Sequence, residues 1–212
     1  MTKIQIAHAF VQTDRVHLAN SNEKAAAQAL VAHKYAQCGY GEGHKLPAGC
    51  DTFVAFSKGQ LAGTLSLAKD GPDGLPSDKI FRRELDQFRS SGAKLCELTR
   101  FVFDMASPSM TILTKLFAVI HDHGLRHYDC TDLVIAADPR HRTFYRRKWD
   151  FVCVGPPKMN TAFGVFSQLM RVPVAAIKPP RDSRKATRSL RPAPLILAQK
   201  AAGQGNWNPA LR

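Results

Sequence analysis

The run DLVIAAD, residues 132–138, is the feature that most constrains the fold of this chain. Five consecutive apolar residues stand between two aspartates. A strand of this kind is typically buried on both faces, so helices must cover the sheet above and below it. Amphipathic segments stand on either side of it, SPSMTILTKLFAVIHDHG before and RHRTFYRRK after. The pattern predicts an α/β (α+β) fold with a mixed central sheet flanked by helices.

Two further elements are predicted in the first 70 residues. NSNEKAAAQALVAHKYAQCGY is predicted to be a helix, with Asn20 as N-cap and Glu23 completing a capping box. DTFVAFSKGQLAGTLSLAKD predicts a β-hairpin that turns at Lys58-Gly59. Gly63 inside its second strand indicates a bulge.

The rest of the chain continues the alternation. A short helix is expected to begin at Ser77 or Asp78, after the break GPDGLP. KLCELTRFVFD, FVCVG and FGVFSQLMRV are predicted strands, and SPSMTILTKLFAVIHDHG is expected to end at Gly124. The predicted inward face of this last helix consists of Ile112, Leu113, Leu116, Phe117 and Ile120.

Charge and proline divide the chain near residue 173. The chain has 30 basic and 17 acidic residues, and nine basic residues but one acidic residue lie from Arg171 onward. Six of its 13 prolines also follow Arg171. We therefore expect a folded domain over residues 1–173 and a basic, Pro-rich tail over residues 174–212 that is extended or partly disordered.

The cysteines and the apolar runs bear on location. Five cysteines, scattered and without a C-x-x-C pair, argue against an oxidised secreted scaffold. MTKIQIAHAFVQTDRVHLA lacks the apolar core of a signal peptide, and no run is long enough to span a bilayer. We expect a cytoplasmic protein. No metal site is expected, because His121 and His123 would face different sides of their helix.

The strand CELTRFVFD carries two charged residues where a buried strand should be apolar. Alternate side chains of a regular strand face opposite sides, so Glu97 and Thr99 share a face while Arg100 points away. The three converge only if the strand contains a bulge. The structural alternatives are a buried Glu–Arg pair or rim residues of an edge strand.

The stretch from LAGTLSLAKDGPDGLP through ELTRF to RTFYRRKWDF resembles the N-acyl amino acid synthases. That family is a branch of the GNAT acyltransferase superfamily, close to the acyl-homoserine lactone synthases. The resemblance spans roughly Tyr35 to Gly155. It implies a GNAT-like sheet that splays between its two central strands, with an acyl thioester in the gap and an amine that attacks its carbonyl carbon.

The resemblance also implies catalytic roles. Glu97, Thr99 and Arg100 match the E-[ST]-R-F motif of the homoserine lactone synthases, which makes Glu97 the expected general base. Thr99 and Arg100 would orient and stabilise the reactants. Arg100 would fix either Glu97 or the substrate's own carboxylate, a bidentate task suited to guanidinium. Tyr145 stands where a GNAT tyrosine protonates the departing thiolate, although it is also suited to a core position. Trp149-Asp150-Phe151 replaces the usual Leu-Gly-Phe.

The donor site departs from the superfamily pattern. DMASPSMTILTK lacks the Gly-rich loop that usually holds the pyrophosphate of coenzyme A. Ser107, Ser109 and Thr111 would bind one phosphate at the helix start, unless they are ordinary N-caps. Because acyl-phosphopantetheine on a carrier protein has a single phosphate, an acyl carrier protein is the expected donor over free coenzyme A. Phe101 and Phe103 are expected to contribute to donor binding.

The predicted helix RHRTFYRRK concentrates positive charge. Beside the thioester site it would steer an acidic acyl carrier protein, and Arg140 and Arg142 are the expected contacts. A solvated helix face would show the same composition. No nucleic-acid recognition motif accompanies it, so no nucleic-acid partner is expected. The cluster consists of Arg140, Arg142, Arg146, Arg147 and Lys148.

The expected function is transfer of a fatty acyl group from a thioester to the amine of an amino acid or similar small molecule. No permanently bound cofactor is implied. Two alternatives stay open. One is an acyl-homoserine lactone synthase, although the first 50 residues have no tryptophan. The other is a non-enzymatic basic module that binds nucleic acid or contacts a membrane surface through the tail.

Overall fold

The computed structural model describes residues 14–40, 49–104 and 108–177. Four α-helices and eight strands occur in these ranges. The part of the predicted tail beyond residue 177 lies outside the described residues. The helices are α1 (Ser21–Gln37), α2 (Asp78–Ser90), α3 (Met110–Tyr128) and α4 (Arg142–Trp149). The strands are β1 (Arg15–Leu18), β2 (Cys50–Ser57), β3 (Gln60–Lys69), β4 (Leu95–Phe103), β5 (Asp132–Ala137), β6 (Val152–Cys153), β7 (Lys158–Asn160) and β8 (Val165–Pro173).

The strands form one mixed sheet in the order β1-β2-β3-β4-β5-β8-β6, with β7 paired to β8. The β4–β5 pairing is parallel and the other pairings are antiparallel. α3 and α4 pack on one face against the largest apolar cluster, which includes Leu67, Leu98, Leu116 and Tyr145 and is called the principal core below. α1 and α2 pack on the opposite face, over two smaller apolar clusters. The predicted mixed α/β architecture is therefore confirmed.

Local signals set the start of the fold as predicted. The amide of Glu23 donates to Asn20 Oδ1, and the amide of Asn20 donates to Glu23 Oε2, each at 3.0 Å. This is the capping box expected for α1. Lys58 and Gly59 both have positive φ, at 50° and 79°, which is the signature of the tight hairpin turn between β2 and β3. Strand β1 was not predicted, because four residues give too short a periodic signal.

Gly63 lies at the predicted irregularity of β3. The β2–β3 register shifts between Ala55 and Phe56, which leaves Ala62 as the extra residue beside Gly63. The ring of Phe103, on the neighbouring strand, covers Gly63 so closely that an added Cβ would lie 2.6 Å from it. Glycine is required there because the ring occupies the space of a side chain.

Helix α3 buries its predicted inward face, but its predicted end is wrong. The helix continues past Gly124 to Tyr128, and Asp129 takes the left-handed conformation with φ 52°. Gly124 lies inside the helix, where a Cβ would come within 3.7 Å of Leu67 and Cys130. Its small size serves close packing there. The buried residues include Ile112, Leu113, Leu116, Phe117 and Ile120.

Helix α4 is shorter than the predicted segment and ends without a glycine. Pro139–His141 forms a 3₁₀ turn, and the α-helix proper begins at Arg142. Asp150 caps its end with φ 57°. Aspartate tolerates this left-handed region better than most residues, so the turn forms although Gly is absent. Past β8, Val174–Ala176 forms a further 3₁₀ turn in which Val174 is buried.

Candidate active site

The two parallel strands at the centre of the sheet separate part of the way along. β4 and β5 pair from Leu95 opposite Asp132 to Leu98 opposite Ile135. β4 continues to Phe103 and stays paired with β3, but it has no register with β5 beyond Leu98. The sheet therefore splays between its central strands, as the resemblance implied.

A β-bulge lies just beyond the point of separation. Ser66 of β3 is opposite Thr99, whereas Thr64 is opposite Val102, so β4 holds one extra residue. Arg100 has φ 55°, the left-handed conformation that accommodates this insertion. The sequence pattern required such a bulge if three polar side chains of this strand were to converge.

The bulge places Arg100 on the face that carries Glu97 and Thr99. Leu98 and Phe101 both belong to the core beneath α3, although they are three residues apart. Arg100 is buried and interacts electrostatically with Tyr35 of α1 and with Cys50 of β2. These partners lie on the α1 side. Without the extra residue, strand alternation would have directed the guanidinium into the apolar core.

Glu97 is buried and fixed by one neighbour. The residue is only 3% exposed to solvent. Oε2 accepts hydrogen bonds from the backbone N–H of Ser77 at 2.9 Å and from the Ser77 hydroxyl at 2.7 Å. Burial raises the pKa of Glu97 to about 7, against the opposing effect of these two hydrogen bonds. A carboxyl group with this pKa exchanges a proton readily near neutral pH.

Arg100 is a buried cation, only 6% exposed. Burial lowers the pKa of its guanidinium, and the phenol of Tyr35 and the thiol of Cys50 oppose that shift. Burial in turn raises the pKa of Tyr35 to about 12. Among the described residues, none of the ion pairs joins Glu97 to Arg100. Glu97 and Arg100 therefore share a face of the sheet but do not form a salt bridge with each other.

Tyr145 lies in the principal core on the α4 side. It is 3% exposed and packs edge-on to Phe151, with ring centroids 5.9 Å apart. Burial, followed by the nearby phenol of Tyr35, raises the pKa of Tyr145 well above the ordinary tyrosine value. The hydroxyl therefore carries its proton throughout the neutral range. The phenol of Tyr35 is close enough to affect the pKa of both Arg100 and Tyr145. It therefore links the Arg100 side of the sheet to the α4 side.

Buried hydroxyl groups extend the site across the sheet. Ser66 lies opposite Thr99 on β3, and Thr52 lies opposite Ser66 on β2. Their hydroxyl oxygens are 3.1 Å apart. Sequence reasoning missed this row, because small hydroxyl residues are also common in ordinary strands. It also missed Ser77, whose sequence position indicated only a helix start.

The predicted donor residues are only partly brought together. Phe101 and Phe103 lie in the principal core, in edge-to-face contact at 5.6 Å. Ser109 is the N-cap of α3 and accepts from the amide of Ile112 at 3.2 Å, while Thr111 is exposed beside it. Ser107 lies outside the described residues.

The predicted basic residues lie on the surface. Arg140 donates to the carboxylate of Asp138, which lowers the pKa of that carboxyl group, although burial opposes the shift most strongly. Arg142 is exposed at the start of α4. The exposed residues of α4 also include Arg146, Arg147 and Lys148.

The described ranges contain neither a candidate metal centre nor a membrane-spanning helix. No three His, Cys, Asp or Glu side chains in those ranges converge as metal ligands would. None of the helices seen there has the length and apolar character needed to cross a membrane.

A mixed sheet that splays between two parallel strands, with a buried carboxylate at the separation, is the architecture of the GNAT fold class. Comparison with known families gives the narrower assignment. A sequence model described as N-acyl amino acid synthase FeeM matches residues 26–173. The chain belongs to the N-acyl amino acid synthase family, so the enzyme reading holds over the non-enzymatic binding module.

Solved structures share the fold, and one of them is itself an N-acyl amino acid synthase. FeeM, an N-acyl amino acid synthase from uncultured soil microbes, is 27% identical, with a TM-score of 0.69 over 77% of this chain and 93% of that one. An acyl-CoA N-acyltransferase from Pseudomonas aeruginosa is 18% identical, with a TM-score of 0.51 over 75% of this chain and 97% of that one.

The CoA-dependent acyl-homoserine lactone synthase BjaI also shares the fold. It is 10% identical, with a TM-score of 0.55 over 76% of this chain and 84% of that one. At this level of identity the similarity concerns the fold alone. Among curated protein sequences, none matches this chain.

Proposed function

We propose that this enzyme transfers a fatty acyl group from an acyl-phosphopantetheine thioester to the amine of an amino acid or a similar small molecule. One observation carries the proposal. The bulge at Arg100, beside the separation of β4 and β5, puts Glu97, Thr99 and Arg100 on one face. A base and a fixed cation next to a gap in the sheet suit attack of an amine on a thioester.

In the proposed mechanism Glu97 removes a proton from the acceptor amine as its nitrogen attacks the thioester carbonyl carbon. The new C–N bond forms, and negative charge develops on the carbonyl oxygen. Collapse of this intermediate breaks the C–S bond. Tyr145 supplies the proton that converts the departing thiolate to a thiol, since burial keeps its hydroxyl protonated. Tyr145 then regains a proton from water, and Glu97 releases the one it took.

Arg100 suits recognition of the acceptor. An amino acid brings a carboxylate close to its amine, and guanidinium binds a carboxylate through two parallel hydrogen bonds. A guanidinium in a residue only 6% exposed is little screened by water, so the interaction is strong and selective. Thr99, half-buried between Glu97 and Arg100, is proposed to orient the amine.

The donor we favour is an acyl carrier protein. The start of α3 offers Ser109 and Thr111 without a glycine-rich loop, an arrangement that suits one phosphate better than the pyrophosphate of coenzyme A. The exposed cations of α4 suit the acidic surface of a carrier protein. We place the acyl chain beside Phe101 and Phe103. The reaction is proposed to occur in the cytoplasm, where the free thiols of this chain stay reduced.

The decisive experiment supplies the purified enzyme with matched acyl donors. Palmitoyl–acyl carrier protein and palmitoyl-coenzyme A are each incubated with a mixture of the standard amino acids, and mass spectrometry searches for N-palmitoyl products. We expect amide products, and we expect kcat/KM to be higher with palmitoyl–acyl carrier protein than with palmitoyl-coenzyme A. S-adenosylmethionine is offered as acceptor in a parallel reaction, and product formed only there would indicate a homoserine lactone synthase. No amide product with either donor would refute the proposal.

A further inference from the structure

The hydrogen bonds to Glu97 distinguish its two carboxylate oxygens. Oε2 accepts both from the amide and from the hydroxyl of Ser77. Oε1 accepts no hydrogen bond from any described residue. The carboxylate is thus held through one oxygen, and the other is available to a substrate.

Ser77 departs from the usual behaviour of a serine at a helix start. It occupies the N-cap position of α2, yet its hydroxyl makes no capping hydrogen bond. A serine at an N-cap normally accepts from an amide in the first turn. Here the residue is 2% exposed, and the hydroxyl is directed to β4.

A separate set of contacts anchors the start of α2. The amide of Leu75 donates to Asp78 Oδ2 at 2.6 Å. Asp78 in turn pairs with Arg89 at 2.7 Å, and Arg89 also pairs with Asp70 at 2.7 Å. These contacts fix the segment before α2 without the Ser77 side chain. Its hydroxyl therefore serves Glu97 and is not needed to hold the helix.

We propose that Ser77 is a positioning residue of the acyl-transfer site, which holds Oε2 of Glu97 so that Oε1 faces the acceptor amine and takes its proton. This inference rests on the proposed role of Glu97 as general base. Ser77 touches neither substrate nor the reacting atoms, and it acts only through the carboxylate.

The same contact tunes the ionisation of the base. A hydroxyl that donates to a carboxylate stabilises the charged form, as does an amide at a helix N-terminus. The other charged or titratable groups near Glu97 are Asp70 and Asp78 beside α2, Arg89, which neutralises them, Cys50 on β2 and Arg100 on β4. On β5 the register partner of Glu97 is the apolar Val134, and on β8 the next residue in that row is Arg171, whose charge is paired with Asp132. Loss of the hydroxyl should therefore favour the protonated, inactive base.

The test is the pH dependence of kcat/KM for full-length Ser77→Ala, with palmitoyl–acyl carrier protein as donor and the standard amino acids as acceptors. We expect the acidic limb of the profile to move up by about one pH unit, because one hydrogen bond to a charged group is lost. Activity below the limb should fall about 10-fold and approach the wild-type value above it. Ser77→Thr keeps a hydroxyl and should restore the wild-type limb.

Ser91→Ala is the matched control. Ser91 lies at the other end of α2, is exposed, and donates only to the carbonyl of Phe88. Its removal should leave the limb unmoved. If Ser77→Ala does not fold, Ser77→Cys replaces it, and its weaker donor should shift the limb in the same direction.

The outcomes separate this inference from the proposed function. A uniform loss of activity with an unmoved limb in Ser77→Ala, while Glu97→Gln is inactive, would overturn the role of Ser77 and leave the acyltransferase mechanism standing. An unmoved limb in Ser77→Cys would count against it equally. Full activity in Glu97→Gln would instead remove the base on which both depend.

Discussion

Leu98 of β4 and Ile135 of β5 form the last residue pair that the two parallel strands share. Arg100, with its left-handed backbone, follows two residues later on β4. The end of the pairing and the bulge are therefore adjacent. This adjacency opens the sheet beside Glu97 and directs Arg100 to the same face.

Replacement of Glu97 tests the chemistry directly. Glu97→Gln keeps the size of the side chain but removes the base, so we expect kcat to fall at least about 100-fold. Circular dichroism and thermal unfolding should show an intact fold. Glu84→Gln is the control, because Glu84 is a carboxylate of α2 that pairs with Lys158 at 2.6 Å. Wild-type turnover in Glu97→Gln would exclude Glu97 from the mechanism.

The stability of the same variant should depend on pH. The folded-state pKa of Glu97, about 7, is raised above its ordinary value of 4.5, so folding disfavours ionisation. The contribution of Glu97 to stability is full below pH 4.5 and is lost as pH rises through 7. Between pH 4.5 and 8, Glu97→Gln should therefore gain about 3 kcal/mol in unfolding free energy relative to wild type. Urea unfolding at several pH values measures this gain.

Glu84 supplies a control of opposite sign. Its hydrogen bond to Lys158 lowers the pKa of Glu84, so its contribution is present above the ordinary pKa and is lost on acidification. The unfolding free energy of Glu84→Gln should therefore be lowest, relative to wild type, at neutral pH. If the unfolding free energies of the two variants, relative to wild type, changed with pH in the same direction, the burial of Glu97 would be contradicted.

A side chain at Gly63 should destabilise the sheet. An added Cβ would lie 2.6 Å from the ring of Phe103, which is packed edge-to-face against Phe101 and cannot easily move. We expect Gly63→Ala to lower the unfolding free energy by about 1–3 kcal/mol. Gly71→Ala is the comparison, since no atom lies within 4 Å of its added Cβ. Equal effects of the two substitutions would show that the ring has space to move.

The end of α4 offers a stabilising substitution. Asp150 has φ 57°, a conformation that glycine adopts without steric cost. Asp150→Gly should therefore raise the unfolding free energy by up to about 1 kcal/mol, with activity unchanged. Thermal unfolding measures the effect, and Asp150→Asn should be nearly neutral. A loss of stability would mean that the aspartate side chain itself holds the turn.

The exposed cations of α4 should matter for a protein donor and not for a small one. We expect the double substitution Arg146→Glu and Arg147→Glu to lower kcat/KM for palmitoyl–acyl carrier protein about 10-fold at low salt, and less at high salt. Palmitoyl-pantetheine should react at the wild-type rate. Arg126→Glu, on exposed α3 surface paired to Asp122, is the control for a charge reversal away from α4. Equal losses with both donors would argue against docking on α4.

Local chemistry was sufficient to predict most elements and one feature of the site. The capping box of α1, the turn at Lys58-Gly59 and the inward face of α3 follow from side chains near one another in sequence. The motif ELTRF identified the strand that bears Glu97 and Arg100, and strand alternation showed that a bulge was needed. The end of α3 was misplaced at Gly124 because a glycine required for packing looks the same in sequence as one that ends a helix.

The sequence by itself determined the order of the helices and of the strands other than the short β1 and β7, and it placed two charges on a strand that is otherwise apolar. Only the tertiary structure decided where β4 and β5 separate, because strand register depends on contacts between residues far apart in the chain. It also assigned the hydroxyl of Ser77 to Glu97, 20 residues away. Burial is likewise a property of the packed molecule, and burial raises the pKa of Glu97 into the range where it exchanges protons near neutral pH.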